Sequence, residues 1–136
     1  MDIMYVNGMP MLIGLDKTIK YWALVPLENR KKKALYSAMD KIFRLYNGAG
    51  CTVTGLFCDL EFHPLLADVC DTLDIQMDCP PAGDHVSEAE RNNRVIGERI
   101  RIAFHQLPYD HLPKVMWRNL AMLCTCLLYT SDAADD

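Results

Sequence analysis

The dipeptide Asn7-Gly8 lies between two apolar runs and restricts the N-terminal fold more than any other feature. In the tightest β-hairpin turns both central residues need a positive φ, which asparagine and glycine tolerate best. We therefore predict that 2–6 and 10–15 pair as antiparallel strands. Asp16-Lys17 then turns the chain into 18–27, a third strand rich in β-branched and aromatic residues. The three segments are predicted to form an antiparallel meander.

A helix is predicted to follow the meander from Glu28 to Tyr46, with Asn47-Gly48 as its C-terminal stop. Its apolar residues recur at helical spacing and share one face: Leu35, Met39, Ile42, Phe43 and Tyr46. The run Arg30–Lys33 occupies the first turns, where the helix macrodipole disfavours positive charge. Two interpretations stay open for this run, an external polyanion or an ordinary solvated basic patch.

Apolar and helical segments alternate in the second half of the chain. The nearly continuous apolar run 51–58 is typical of a strand buried on both faces, and it ends at Asp59. We predict a helix over 64–73, a strand near 75–77, a loop over 79–85, a helix over 87–106 and a last helix from about 111. Ser87 with Glu90 three residues later matches a capping box. The order β-β-β-α-β-α-β-α-α predicts one α/β domain, a mixed sheet flanked by helices.

The last residues, 126–136, resemble the translation of a transposase-based sequencing adapter, in which TGT CTC TTA TAC ACA TCT gives Cys-Leu-Leu-Tyr-Thr-Ser. Such segments are set aside before a fold is argued. The alternative is an apolar helix end with an acidic tail. We expect 126–136 to be non-native and 1–123 to be a single domain truncated at both ends.

Charge is distributed unevenly along the chain. The formal net charge is -4, and three of the aspartates lie in the tail, so the remainder is close to neutral. Between Arg91 and Arg118 the basic residues outnumber the acidic ones, which are only Glu98 and Asp110. This local excess suits a polyanion, while a solvated helix face is the equally common alternative.

The cysteines and the apolar runs limit the class of protein. No cysteine outside the tail forms a Cys-x-x-Cys pair, and no Cys/His cluster has zinc-finger spacing. Cys51 and Cys58 lie in an apolar run, where a free thiol behaves as a small hydrophobe, as expected in a reducing compartment. No apolar run approaches the roughly 20 residues of a membrane span. We expect neither a signal peptide nor a membrane segment.

Three carboxylates stand where functional groups collect in such a fold. Asp2 begins the meander, Asp59 ends the buried fourth strand, and Glu90 lies in the first turn of the long helix. Functional groups gather beyond the carboxyl ends of strands, and hard divalent cations prefer oxygen ligands. The pattern gives the hypothesis of a metal site, although each carboxylate alone is more often a turn or cap residue. Glu88 competes with Glu90, but the two point about 200° apart on a helix.

Four segments, taken in order, resemble a known family. They are Asp2 with its strand and Asn7-Gly8 turn, 57–62 (FCDLEF), 90–101 beginning Glu-Arg-Asn-Asn-Arg, and 107–117 with Leu-Pro, Leu-Pro and Met-Trp. They resemble the catalytic core of retroviral and retrotransposon integrases, and the Glu-Arg-x-x-Arg helix resembles copia-type elements. The resemblance covers residues 2 to about 123 and implies a ribonuclease-H-like fold with a mixed five-stranded sheet, β-β-β-α-β-α-β-α, flanked by helices.

The resemblance also implies a function. Asp2, Asp59 and Glu90 would bind two Mg²⁺ or Mn²⁺ ions for 3′-end processing and strand transfer of retroelement DNA into target DNA. Three arginines would contact DNA phosphates, namely Arg91, Arg94 and Arg101. The full-length protein would be a homo-oligomer in the nucleus or cytoplasm.

Two departures from the family keep alternatives open. Asp59 and Glu90 stand 31 positions apart, fewer than is usual, and Leu60 replaces the Asn-Gly that commonly follows the second aspartate. The alternatives are a catalytically decayed nucleic-acid-binding module of the same fold, or another ribonuclease-H-like nuclease or transposase. We expect a polynucleotidyl transferase or endonuclease that is inactive as a fragment if its missing flanks are required.

Overall fold

The computed structural model describes residues 1–16, 21–79 and 87–135, with the side chains of 87–89 and 127–135 left out. Its elements follow the predicted order. The strands are β1 (Asp2–Val6), β2 (Met9–Leu15), β3 (Trp22–Pro26), β4 (Gly55–Phe57) and β5 (Gln76–Asp78). The helices are α1 (Lys32–Gly48), α2 (His63–Thr72), α3 (Ser87–His105) and α4 (Lys114–Asp135), and a 3₁₀ turn spans Leu60–Phe62.

The N-terminal hairpin has the predicted turn. Asn7 has a φ of 49° and Gly8 a φ of 78°, so both central residues adopt the left-handed conformation that this turn needs. Val6 lies opposite Met9, and the strands pair in antiparallel register from there. β3 pairs antiparallel with β2. It is shorter than the predicted strand, and Tyr21 lies outside it. Residues 17–20 lie outside the described ranges.

Helix α1 begins and ends later than predicted. The Asn29 Oδ1 accepts a hydrogen bond from the Lys31 N–H at 2.9 Å, and Lys31 itself is extended. This local turn competes with helix formation, so Glu28–Lys31 stays outside the helix. At the other end the helix includes Gly48, and Gly50, with a φ of 86°, supplies the left-handed residue. The predicted apolar face of α1 is confirmed as buried.

The fourth strand differs from its prediction. β4 has three residues, of which Leu56 is buried and both neighbours are exposed, Phe57 by 45%. The prediction of a strand buried on both faces was therefore wrong: the run is apolar, but its side chains alternate between the core and the surface. β4 pairs in parallel with β5, and the Cys58 N–H continues this pairing by donating to the Asp78 carbonyl.

The described strands form two sheets rather than the single five-stranded sheet that the resemblance implies. One contains β1, β2 and β3 in that order, and the other contains β4 and β5. They meet where the amino group of Met1 donates to the Phe57 carbonyl at 2.7 Å. The start of β1 therefore lies beside the end of β4.

Apolar clusters cover both faces of the three-stranded sheet. Because side chains alternate along a strand, Leu12 of β2 packs with α1 and α2, while Met11 and Ile13 pack with α3 and α4. The last two helices are joined by Phe104 and Trp117, whose rings stack with centroids 4.6 Å apart. The sheet is therefore a middle layer between two helical layers.

The C-terminal helices follow the prediction with shifted bounds. α3 ends at His105, just before the predicted break at Leu107-Pro108. α4 begins at Lys114, later than predicted, and Pro113 precedes it with a carbonyl that accepts from Met116 and Trp117. Its backbone continues through the suspected tail to Asp135. Among the described residues, no helix combines the length and apolarity needed to cross a bilayer.

Candidate active site

Asp59 lies at the carboxyl end of β4, as its position in the sequence predicts. It is exposed and precedes the 3₁₀ turn, and its carbonyl accepts the Phe62 N–H at 3.0 Å. The Phe62 side chain is 1% exposed and anchors this turn in the core. On the other side of Asp59, Cys58 is buried with its Sγ 3.5 Å from the Sγ of Cys79. Asp59 is thus an exposed carboxylate between the buried residues Cys58 and Phe62.

The carboxylate of Asp2 is half-buried and hydrogen-bonded at both oxygens. The Ile3 N–H donates to Oδ1 at 2.7 Å. The side-chain amide of Asn93, on α3, donates to Oδ2 at 2.6 Å. Since the two donors come from β1 and α3, they restrict the rotation of the carboxylate and join the strand to the helix.

The two aspartates interact electrostatically. Burial raises the pKa of Asp2 above its ordinary value, and the negative charge of Asp59 raises it further. The hydrogen bonds from Ile3 and Asn93 and the charge of the amino terminus act in the opposite direction, but they do not cancel the rise. A cation bound near both carboxylates would offset the repulsion that Asp59 exerts on ionised Asp2.

Glu90 is not brought into a complete ligand set. It is exposed on the first turn of α3, one turn before the Asn93 that binds Asp2. Within the described residues, no three His, Cys, Asp or Glu side chains form a group that could hold a metal ion. The structure therefore associates Asp2 with Asp59, and Glu90 as their partner remains a prediction. Its competitor Glu88 and the Ser87 cap involve side chains outside those described.

The three arginines assigned to DNA, Arg91, Arg94 and Arg101, all lie on α3 and are all exposed. On an ideal helix Arg94 and Arg101 project within about 40° of Glu90, and Arg101 lies about 16 Å beyond it along the axis. The buried residues Ile96 and Ile100 lie on a different side of the helix. α3 thus packs an apolar side against the sheet. Another side carries Glu90, followed by a basic stripe formed by Arg94 and Arg101.

Asn93 is a site residue to which the sequence pattern assigned no role. It lies within the motif that follows Glu90, but nothing local marks it as functional. The sequence feature that could have identified Asn93 is its spacing from Glu90, because a residue three positions later lies on nearly the same side of the helix. An amide at that position can reach whatever carboxylate the helix approaches.

Comparisons with solved structures identify the fold. The catalytic core domain of BIV integrase superposes with a TM-score of 0.68 at 12% identity, covering 93% of this chain and 80% of that one. The HTLV-2 integrase catalytic core in complex with magnesium, in a dimeric form, gives 0.63 at 14% identity and covers 88% and 77%. The trimeric form gives 0.64 at 14% identity, with 88% and 76% covered.

Comparisons at the sequence level give no match, either to a protein-family model or to a curated protein. At identities this low, the structural likeness concerns the backbone arrangement. It extends over most of the chain and agrees with the observed order of strands and helices. The chain therefore has a mixed α/β fold similar to that of retroviral integrase catalytic core domains.

Proposed function

We propose that this chain is the catalytic core of a retroelement integrase, a polynucleotidyl transferase that processes 3′ ends and transfers strands into target DNA. The observation that carries the proposal is the pairing of Asp2 with Asp59 at the junction of the two sheets, within an integrase-like fold. The motif Glu90-Arg-Asn-Asn-Arg94 supports a copia-type element as its source.

The two aspartates fit a divalent cation by their chemistry. Both supply hard oxygen donors, Asp59 is exposed, and their mutual repulsion would be offset by bound Mg²⁺ or Mn²⁺. We assign Asp2 and Asp59 as ligands and Glu90 as the third, with two ions as the expected stoichiometry. When bound, such ions would lower the pKa of an attacking oxygen and offset the negative charge on the phosphate oxygens.

The chain's own residues position the reactants. Asn93 and the Ile3 amide fix the orientation of Asp2, so that its carboxylate needs little reorganisation when a substrate arrives. Arg94 and Arg101 would contact DNA phosphates along the side of α3 that carries Glu90, without reading base sequence. The full-length protein is expected to act as a homo-oligomer on DNA, with element ends and target DNA as its partners.

Metal-dependent cleavage or joining of a labelled DNA duplex tests the proposal. In Mg²⁺ or Mn²⁺ the chain should cleave or join DNA, and Asp59→Asn should reduce this at least about 100-fold while remaining folded. Asp71→Asn, at an exposed position on α2, is the matched control and should retain activity. Mg²⁺ should also raise the melting temperature of the parent chain, but not that of Asp59→Asn, if the aspartates bind it.

Other outcomes select the alternatives. A folded chain that binds DNA but shows no metal-dependent chemistry, even with its flanking segments restored, would be a decayed nucleic-acid-binding module. Release of short RNA from RNA–DNA hybrids would instead indicate a ribonuclease-H-like nuclease.

The basic stripe is tested separately by DNA binding. Arg94→Ala and Arg101→Ala should each weaken affinity for every DNA sequence and reduce the salt dependence by about one counterion. Arg44→Ala removes the same charge from α1, where Arg44 pairs with Asp40 at 2.9 Å, and should have little effect. Equal losses in all three variants would show that only net charge matters.

A further inference from the structure

The basic run at the start of α1 is divided between two surfaces. Arg30 pairs with Glu61 at 2.7 Å, and Lys32 pairs with Asp68 on α2. These two ion pairs link the start of α1 and the residue Arg30 before it to the segment that follows Asp59. Lys31 and Lys33 alternate with them and line a cavity on another side of the helix.

This cavity lies between the end of β3, the start of α1 and α4. Its volume is about 560 Å³, and its cationic lining residues are Lys31, Lys33, Lys41 and Arg118. Glu28 is the one carboxylate among the lining residues. The remaining wall is partly apolar and includes Val25 and Leu27. Such a volume is typical of small-molecule sites, which span about 300–1,000 Å³.

The cationic side chains that line the cavity outnumber its carboxylate by four to one. In the described part of the chain, none of the three lysines takes part in an ion pair. The first turn of α1 contains no acidic residue, and Lys31 provides no side-chain cap. The positive end of the helix macrodipole adds to the same potential. An external anion would lower the electrostatic free energy of this region.

Arg118 adds an observation that is independent of the lysines. Its Nε is buried and has no hydrogen-bond partner among the described residues. A buried donor without an acceptor is costly, and guanidinium groups bind phosphate in a fixed geometry. Arg118 comes from α4, so the cavity joins cations from two helices that pack near the same strand.

We propose that this cavity is an anion site that takes phosphate groups, carried by a nucleic-acid strand or by a free organic phosphate. The cavity exceeds what a lone phosphate needs, and its apolar wall suits the carbon-containing part of a nucleotide-sized ligand. It adjoins β3, whereas Asp2 lies on β1, at the opposite edge of the three-stranded sheet. The site is therefore distinct from the proposed catalytic carboxylates and does not depend on them.

Titration of the full chain with tripolyphosphate tests the site. Lys33→Ala and Lys41→Ala should each weaken binding about tenfold, the usual effect of losing one charge-assisted contact. Lys32→Ala is the matched control, since it removes the same charge one position away from a lysine paired with Asp68. Equal weakening by Lys32→Ala and Lys33→Ala would overturn the proposal, as would no measurable binding.

Arg118→Met gives a second readout. Without phosphate, its melting temperature should equal or exceed that of the parent chain, because the unpartnered Nε is removed. With tripolyphosphate, the rise in melting temperature seen for the parent should be lost. A parent-like rise would contradict the role of Arg118. If this variant does not fold, the exposed lysine variants still decide the question.

Competition distinguishes the sources of phosphate. Displacement of a labelled single-stranded oligonucleotide by tripolyphosphate, abolished in Lys33→Ala, would identify a strand as the ligand. Tripolyphosphate binding without displacement would exclude a strand and indicate a free phosphate compound as the ligand. Arg94→Ala and Asp59→Asn should bind tripolyphosphate like the parent chain, so failure of the catalytic proposal would not affect this result.

Discussion

At the scale of single residues, the folded structure disfavours ionisation of the Asp2 carboxylate. It accepts hydrogen bonds from Ile3 and Asn93, yet burial and the charge of Asp59 raise its pKa above 3.8. A group whose pKa is raised on folding stabilises the protein at low pH, and this contribution is lost as the pH rises through the raised pKa. Ionised Asp2 therefore destabilises the folded chain at neutral pH.

Asp2→Asn should accordingly increase the free energy of unfolding at pH 7 and have little effect near pH 3, where the parent side chain is already protonated. Asparagine retains an acceptor for the Ile3 N–H, and the Asn93 amide can rotate to accommodate the change. Chemical denaturation at both pH values measures the difference, with Asp71→Asn as the exposed control. The same gain at both pH values would contradict an origin in ionisation.

Some residues of the site could be predicted from the sequence and others could not. Asp59 was predictable because it follows an apolar run, and strand ends collect functional groups in α/β folds. Asn93 was not, because its contact with Asp2 joins residues that are far apart in the chain and depends on the packing of α3 against β1. Arg118 was equally unpredictable, since its burial depends on the contact between α4 and β3.

At the scale of elements, local sequence patterns predicted which helices and strands form more accurately than the residues at which they begin and end. The order of strands and helices follows from hydrophobic periodicity, and the Asn7-Gly8 turn follows from its φ requirements. The start of α1 was misplaced because Asn29 forms a local turn with Lys31, which helical periodicity does not register. The pairing of strands into two sheets is a property of the tertiary structure.

Gly8→Ala should destabilise the chain by about 1–2 kcal/mol, the usual cost of placing an L-residue in the left-handed region. A Cβ at Gly8 would meet no atom within 4 Å, so the cost is that of backbone strain alone. Urea denaturation measures this free energy of unfolding.

Gly97→Ala is the control for this substitution. Gly97 lies inside α3, and a Cβ at this position would also meet no atom within 4 Å, but its backbone is helical. The same change should therefore stabilise the chain by up to about 1 kcal/mol. Destabilisation by both variants would show that contacts, and not the φ of Gly8, determine the effect.

At the scale of the whole molecule, β2 connects the two apolar clusters. Leu12 and Met11 are both 0% exposed, and they point into opposite clusters from adjacent positions. Neither helical layer can separate from the sheet without exposing one of these side chains. The shared strand is thus expected to couple the unfolding of the two layers.

The two tryptophans allow this coupling to be measured. Trp22 and Trp117 both pack against the cluster of α3 and α4, so their fluorescence reports on that side of the sheet. Far-UV circular dichroism reports on all helices, including α1 and α2. If the domain unfolds as one unit, the two signals should give the same midpoint in urea. Leu12→Ala, on the opposite side, should lower both midpoints together, with a loss of about 2–5 kcal/mol. A fluorescence midpoint that stays at the parent value in this variant would show that α3 and α4 unfold independently.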